Sequence, residues 1–330
     1  IKVKNITCHI LSQTYENGMS EVIAELSNPI KYVSQYPVLS ITTKGAYNMP
    51  YTRIFEEGER YIYADLYREI HSVSDWKEIA KSPTENYMLM EDLDFINEGD
   101  SVRITSVLEG KLDGNHHKIK NINVTRSLFG DIKNEFKDLI IENCELKSSS
   151  SMGLIINNYG ELDNVHVKNM QLTKTTTTQT GTVGGLTAVS VGTVENCSIQ
   201  GLLIQDETFS YNTRVGGLIG VANGATVNNC YVQNLTLKAN NGYYYQGVGG
   251  LVGSIESKTT LDSSYVTGEI QTTGGNIGGL IGQMETGEIK NSYSTVNIAG
   301  SPKQFAGIVG RVGSGGIMVV DHNLSLGNLY

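Results

Sequence analysis

The chain has 330 residues, a formal net charge of −9 and only 18% charged residues, an unsuitable surface for nucleic acid, which is gripped by clustered Lys and Arg that displace counterions. Thirty-seven Gly, abundant Ser, Thr and Asn, and 5 Pro against 39% hydrophobic residues exclude a disordered chain and point to short strands between tight turns. No run of about 18 apolar residues is present to span a membrane. The opening IKVKNITCHI lacks the apolar stretch of a signal peptide, so an internal part of a larger polypeptide is expected.

Residues 1–70 alternate apolar and polar side chains in EVIAEL, YPVLSITTK and YTRIFEEGERYIYADLY, with Glu57-Gly58-Glu59 as a turn, and predict a small antiparallel β module. Residues 71–84, HSVSDWKEIAKSPT, follow with Ser74 or Asp75 as N-cap, Trp76, Ile79 and Ala80 as an apolar face, and a break at Pro83. The expected short helix is placed to cover the first layer of what comes next, whose strand edges and core would otherwise be bare. NYMLMEDLDF and LEGKLDGNHHKIKNINV then open the third region, 85–330, with a turn at Asp113-Gly114-Asn115.

That region is repetitive. VGGLTAVSVGTVENCSIQ from Val183 recurs as VGGLIGVANGATVNNCYVQ from Val215, VGGLVGSIESKTTLDSSYV from Val248 and IGGLIGQMETGEIKNSYST from Ile277, with degenerate copies from Ser127, Ser151 and Ala306. The central apolar residue falls at Leu154, Leu186, Leu218, Leu251, Leu280 and Ile308, 28 to 33 residues apart. CSIQGLLIQ and CYVQNLTLKA alternate with period two, as half-buried strands do, and glycine punctuates the corners. The repeat therefore predicts an all-β fold, a right-handed parallel β-helix of seven turns. At about 4.8 Å per turn it is roughly 35 Å long, with the six apolar residues stacked inside.

The repeated glycines have a geometric reason, left-handed backbone or close approach between turns, and no phosphate-loop pattern is present. Asn143, Asn164, Asn196, Asn229 and Asn291, with Ser263 in the same place, are expected to form an amide ladder along the rod. The following position takes Cys144, Val165, Cys197, Cys230, Ser264 and Ser292, which selects for small size and not for sulfur chemistry, so free thiols are expected. Cys8 lies apart, and four Cys at no metal spacing make neither a disulfide framework nor a zinc cluster. The position before the ladder carries Glu142, Asp163 and Glu195, carboxylates that could lie about 5 Å apart on adjacent turns. They read as solvated acids at a corner, or as a cation or acid–base site.

Variable inserts, TKTTTTQTGT, DETFSYNTR, KANNGYYYQG and GSPKQF, share one place in the repeat and are expected to project from one edge of the rod. They carry Phe209, Tyr211, Tyr243, Tyr244, Tyr245 and Phe305, with Arg214 alongside, the side chains that interface hot spots prefer. These are the candidate binding residues, set against the plainer reading that the rings fold back on the rod's own flank.

The (V/I)GGL(I/V)G repeat followed by a Cys-Tyr or Ser-Tyr strand resembles the bacterial GLUG motif. A Trp-containing helix, DLDF, and then L-x-G-x-x-x-G-x-x-H-x-I resemble the region ahead of the catalytic domain in streptococcal-type immunoglobulin A1 proteases and ZmpB-like zinc metallopeptidases. The match covers about residues 70 to 330. It implies a secreted, cell-wall-associated endopeptidase and virulence factor of a Gram-positive bacterium, with its zinc in a catalytic domain outside this stretch. It further implies a noncatalytic recognition or spacer region that binds a host protein or glycoprotein.

The residues themselves assign no chemistry. None of His9, His71, His116, His117, His166 and His322 begins His-Glu-x-x-His, and no nucleophile motif sits between strand and helix, so neither catalytic nor metal residues nor a cofactor are expected here. A monomer without membrane insertion is expected. Two readings compete with the protease region: a stand-alone adhesin-like surface module, and a glycan-active β-helix enzyme that rests on fold analogy alone.

Overall fold

In the computed structural model, the strands of the first 70 residues are described by backbone, and residues 67–175, 181–205, 213–238, 247–273, 275–301, 304–313 and 319–328 with their side chains. The chain is nearly all β, and its parallel strands wind into a solenoid of about seven turns. Residues Ile6–Glu16 pair antiparallel with Met19–Leu26, and Val38–Ile41, Tyr51–Glu57 and Ile62–Ile70 form an antiparallel meander. The last of these strands pairs in parallel with Asn86–Leu89, so one strand belongs to both the antiparallel part and the first winding.

Each full winding contributes to three ladders. A long sheet runs through Lys118–Thr125, Glu135–Ser148 and Glu161–Lys174 and continues as broken strands to Leu324–Ser325. A seven-stranded sheet runs from Phe129–Ile132 to Val309–Val312, and a five-stranded one from Thr182–Gly184 to Gln304–Ala306. The expected ladder is present inside: Leu154, Leu186, Leu218, Leu251 and Leu280 are fully buried and Ile308 is half-buried against them. Their main chains bond in sequence, Leu186 N–H to Leu218 O at 2.9 Å, Leu218 to Leu251 at 2.9 Å, Leu251 to Leu280 at 2.9 Å and Leu280 to Ile308 at 3.1 Å.

The glycine pairs are required by close approach. A Cβ on Gly216 would lie 2.6 Å from Gly253 N, and one on Gly217 would lie 2.1 Å from Gly250 O, both in the next winding. Neither residue has a positive φ, so of the two reasons the sequence offers, contact between windings is the one used.

The helix occupies Val73–Glu78, and its N-cap is Ser72, not Ser74 or Asp75. Ser72 Oγ accepts the Asp75 N–H at 3.2 Å and donates to the Asp75 carboxylate at 2.9 Å, while His71 N–H donates to the same carboxylate at 3.0 Å. This varies the capping box, the aspartate in the third helical position reaching back to the N–H of His71, the residue before the cap, and its S-x-x-D spacing selects Ser72. Trp76, fully buried, packs on Phe95 at 5.3 Å and Phe129 at 5.7 Å, and Phe129 meets Phe136 edge-on at 4.9 Å. The indole N–H donates to Val102 O at 2.8 Å, which satisfies the one polar atom this cluster buries. The opposite end carries exposed Val312, Val319, Val320, Leu324 and Leu326.

Candidate functional surface

Two columns of left-handed residues bend the long sheet, and they define a facet between them. At the first corner, Asp138, Asn164, Asn196, Asn229, Ser263, Asn291 and His322 have φ from 48° to 55°. Five residues further along, Asn121, Asn143, Asn169, Gly201 and Asn234 have φ from 56° to 74°. Asn and Gly are the residues that enter this region at least cost, because Asn can hydrogen-bond locally and Gly has no Cβ.

The side-chain amides connect the windings. Asn196 Nδ2 donates to Asp163 Oδ1 and Asn229 Nδ2 to Asn196 Oδ1, both at 2.7 Å, while Asn291 Nδ2 donates to Asp262 Oδ1 at 2.9 Å. The register corrects one expected member. Lys137 faces Asp163 and Leu139 faces Val165, so Asp138 is the counterpart of Asn164, whose Nδ2 donates to Asp138 Oδ1 at 2.6 Å. Asn143 instead belongs to the second corner, between Asn121 and Asn169, with amide contacts of 3.3 and 3.2 Å.

The same shift breaks the acidic column. Glu142 lies opposite Lys168 and beside Lys118, while Asp163 lies between Lys137 and Glu195. Three carboxylates in a row are therefore not formed. Cys144 likewise pairs with Met170 and not with Val165, whereas Cys197 and Cys230 do occupy neighbouring windings. All three thiols are free and buried. Burial pushes the Cys144 thiol up to about 12 and raises Cys197 as well.

Four residues separate the two corners, two pointing in and two out. In the Asn229–Asn234 winding, Cys230 and Val232 are buried, while Tyr231 and Gln233 face outward. The register repeats this upward: Tyr231 pairs with Tyr265, and Tyr265 with Tyr293. The three rings stack at 4.9 Å and 4.8 Å with interplanar angles of 7° and 1°. Gln200 Nε2 donates to the Tyr231 hydroxyl at 3.3 Å and Gln233 Nε2 to the Tyr265 hydroxyl at 2.6 Å. Burial, followed by the neighbouring phenols, raises the Tyr265 pKa, which keeps its proton in place as a donor. Sequence reasoning passed over this stack, although CYVQ, SSYV and NSYS place Tyr directly after the small residue in three consecutive repeats.

Below the tyrosines the same column holds Ser198 and His166. His166 Nδ1 lies 2.7 Å from Ser198 Oγ and Nε2 lies 2.7 Å from Asn164 Oδ1, which is itself tied to Asp138. Because Asn164 Oδ1 only accepts, Nε2 carries the proton and Ser198 donates to Nδ1. Burial, then Lys168, holds the His166 pKa below its ordinary value. The set has the connectivity of an activated serine, but Ser198 is only 3% exposed. Its geometry is that of a hydrogen-bonded strut.

The inserts leave and rejoin the rod in register. Lys174, Asp206 and Ala239 are ladder neighbours on the departing side, and Thr182, Arg214 and Gly247 on the returning side. Phe209, Tyr211, Tyr243, Tyr244 and Tyr245 lie outside the described residues. Arg214 is engaged with Glu256 at 2.9 Å. Phe305 is 48% exposed and, with Gln304, Gly310, Arg311 and Val312, lines an open hollow of about 470 Å³. His117 pairs with Asp92 at 3.1 Å, and among the described residues no group of three or more His, Cys, Asp or Glu is placed to hold a metal. Nor, among those residues, is any helix long and apolar enough to cross a membrane.

Comparison with known proteins agrees with this architecture. The GLUG motif matches residues 273–299. The crystal structure of a proposed immunoglobulin A1 protease from Bacteroides ovatus is similar over 78% of this chain and 74% of that one, with a TM-score of 0.51 and 16% sequence identity. At that identity the likeness is one of fold. No curated protein matches the chain in sequence.

Proposed function

We propose that these 330 residues are a noncatalytic recognition or spacer region of a larger secreted, cell-surface zinc metalloendopeptidase of the immunoglobulin A1 protease type. On this reading a catalytic domain elsewhere in the parent protein supplies the zinc, and the rod holds or presents a host protein or glycoprotein to it. The observation that carries the reading is the combination of a GLUG-bearing solenoid with overall similarity to the Bacteroides ovatus structure. The register of the anchors supports it, because Lys174, Asp206 and Ala239 and then Thr182, Arg214 and Gly247 are ladder neighbours at one place in the repeat, where solenoids often build contact surfaces.

The 330-residue protein, immobilised and challenged with immunoglobulin A1, should retain it, and replacing Tyr243, Tyr244 and Tyr245 by Ala should weaken retention several-fold. Absence of retention would count against substrate recognition and leave the spacer role. A His-Glu-x-x-His segment elsewhere in the parent gene supports the peptidase, and a parent without one supports the adhesin-like module.

A further inference from the structure

We propose that the upper facet of the long sheet, centred on Tyr231, Tyr265 and Tyr293, binds a neutral, hydroxyl-rich oligosaccharide. The proposal rests on the reading of this region as a recognition element and assigns that role to a surface other than the inserts.

The first argument is charge. The protein carries a net charge of −9, and the lower windings of this same facet display Lys118, Lys120, Glu142 and Lys168. From Ser198 to Thr295 its outward positions hold only hydroxyl, amide and phenol groups, Gln200 and Gln233 giving way to Thr267 and Thr295 beside the rings, and Leu324 stands above Tyr293. An ionic ligand laid here would lose water without gaining a counter-charge, and a purely apolar one would strip water from the amides. A sugar chain, with apolar C–H faces and a rim of hydroxyls, matches both kinds of group.

The second argument is shape. Parallel rings with centroids 4.8 to 4.9 Å apart are too widely spaced for direct face-to-face contact, which brings carbons to about 3.5–4.0 Å. The spacing is that of the strands beneath them, and the half-buried Tyr231 and Tyr265 rings present their outer edges to solvent. Tyr293 at the top is 39% exposed, and its hydroxyl makes no hydrogen bond among the described residues. Tyr231 and Tyr265 accept from glutamines, so their own hydroxyl protons are left to donate outward. Three equivalent rings in line fit a repeating ligand better than a single sugar.

The third argument separates a glycan from a peptide. A peptide gains affinity on a sheet by adding a strand to a free edge. Here each strand of the facet is hydrogen-bonded to the windings above and below it, so its face offers side chains only.

The test is binding of the full 330-residue protein to immobilised linear oligomers of glucose, galactose and N-acetylhexosamine, with uronic and sulfated oligomers alongside. At least one neutral series should bind with a dissociation constant below about 1 mM. The triple variant Y231A/Y265A/Y293A should lose at least tenfold while still unfolding cooperatively well above the assay temperature. The triple Phe variant, which keeps the stack and removes the hydroxyls, should retain an intermediate affinity. Binding of acidic oligomers alone, undiminished binding by the alanine variant, or no neutral binding at millimolar concentration each overturns the proposal. Capture of immunoglobulin A1 that is equal before and after enzymatic removal of its glycans overturns it too, while leaving the recognition reading intact. Oligosaccharide binding without capture of the glycoprotein does the reverse.

Discussion

The first and the later windings of the rod use aromatic residues in opposite ways. Around the helix, Trp76, Phe95, Phe129 and Phe136 point inward and are at most 1% exposed. In the later windings, Tyr231, Tyr265 and Tyr293 stand on the outside, and the interior is filled by Leu, Ile, Val and Cys. Rings inside close an end that has no preceding winding. Rings outside contribute little to closure, because the interior there is already sandwiched between neighbouring windings. The same side-chain class thus belongs to stability at one end and to surface chemistry further along.

The sharpest way to break that contrast is Trp76→Ala. Removal of a fully buried indole and its bond to Val102 should destabilise by about 3–5 kcal/mol, read as a large fall in the thermal midpoint. Next comes Gly250→Ala, which sets a Cβ 2.2 Å from Gly279 O between two windings and should cost about 1–3 kcal/mol in chemical denaturation. Asn229→Ala places a Cβ-bearing residue without a local hydrogen bond at φ 51° and removes the amide contact to Asn196, for an expected loss of about 1–2 kcal/mol. Tyr265→Ala, which removes two ring stacks and the Gln233 bond from the outside of the rod, should cost about 1 kcal/mol. A cost comparable to that of Trp76→Ala would erase the distinction between inner and outer rings.

The smallest expected effect concerns pH. Burial and Lys168 hold His166 below its ordinary value, with Asp138 opposing them. The unfolded chain therefore takes up a proton below about pH 6.5 that the folded one resists. Stability from the neutral ring is present above that pH and declines on acidification through the folded value. Thermal midpoints between pH 7 and pH 5 should fall less steeply for His166→Gln than for the parent.

Much of this was legible as letters. The Leu154 to Ile308 spacing gave the winding, because a buried position tolerates few side chains and therefore repeats visibly. Asn143 misled because two corners five residues apart both favour Asn, and the corner that faces Asn164 is held by Asp138. Glu142 and Cys144 followed it into the wrong columns. Matching letters alone could not separate the two corners, whereas the backbone register does. The tyrosines were visible in CYVQ, SSYV and NSYS, yet only the coordinates show that they stack. For Arg214, sequence offered a hot-spot side chain and the fold supplies Glu256 as its partner.

The capping of one end also gives the rod a direction in time. Each winding is a template for the next, and the one closed by Trp76 is the only layer among those described with an α-helix packed on it, which gives it contacts the later layers lack. Assembly should therefore start there and run toward Leu324, as a zip fastener closes from its stop. Amides near Leu324 should exchange with solvent first when the protein breathes, and those around Phe129 last.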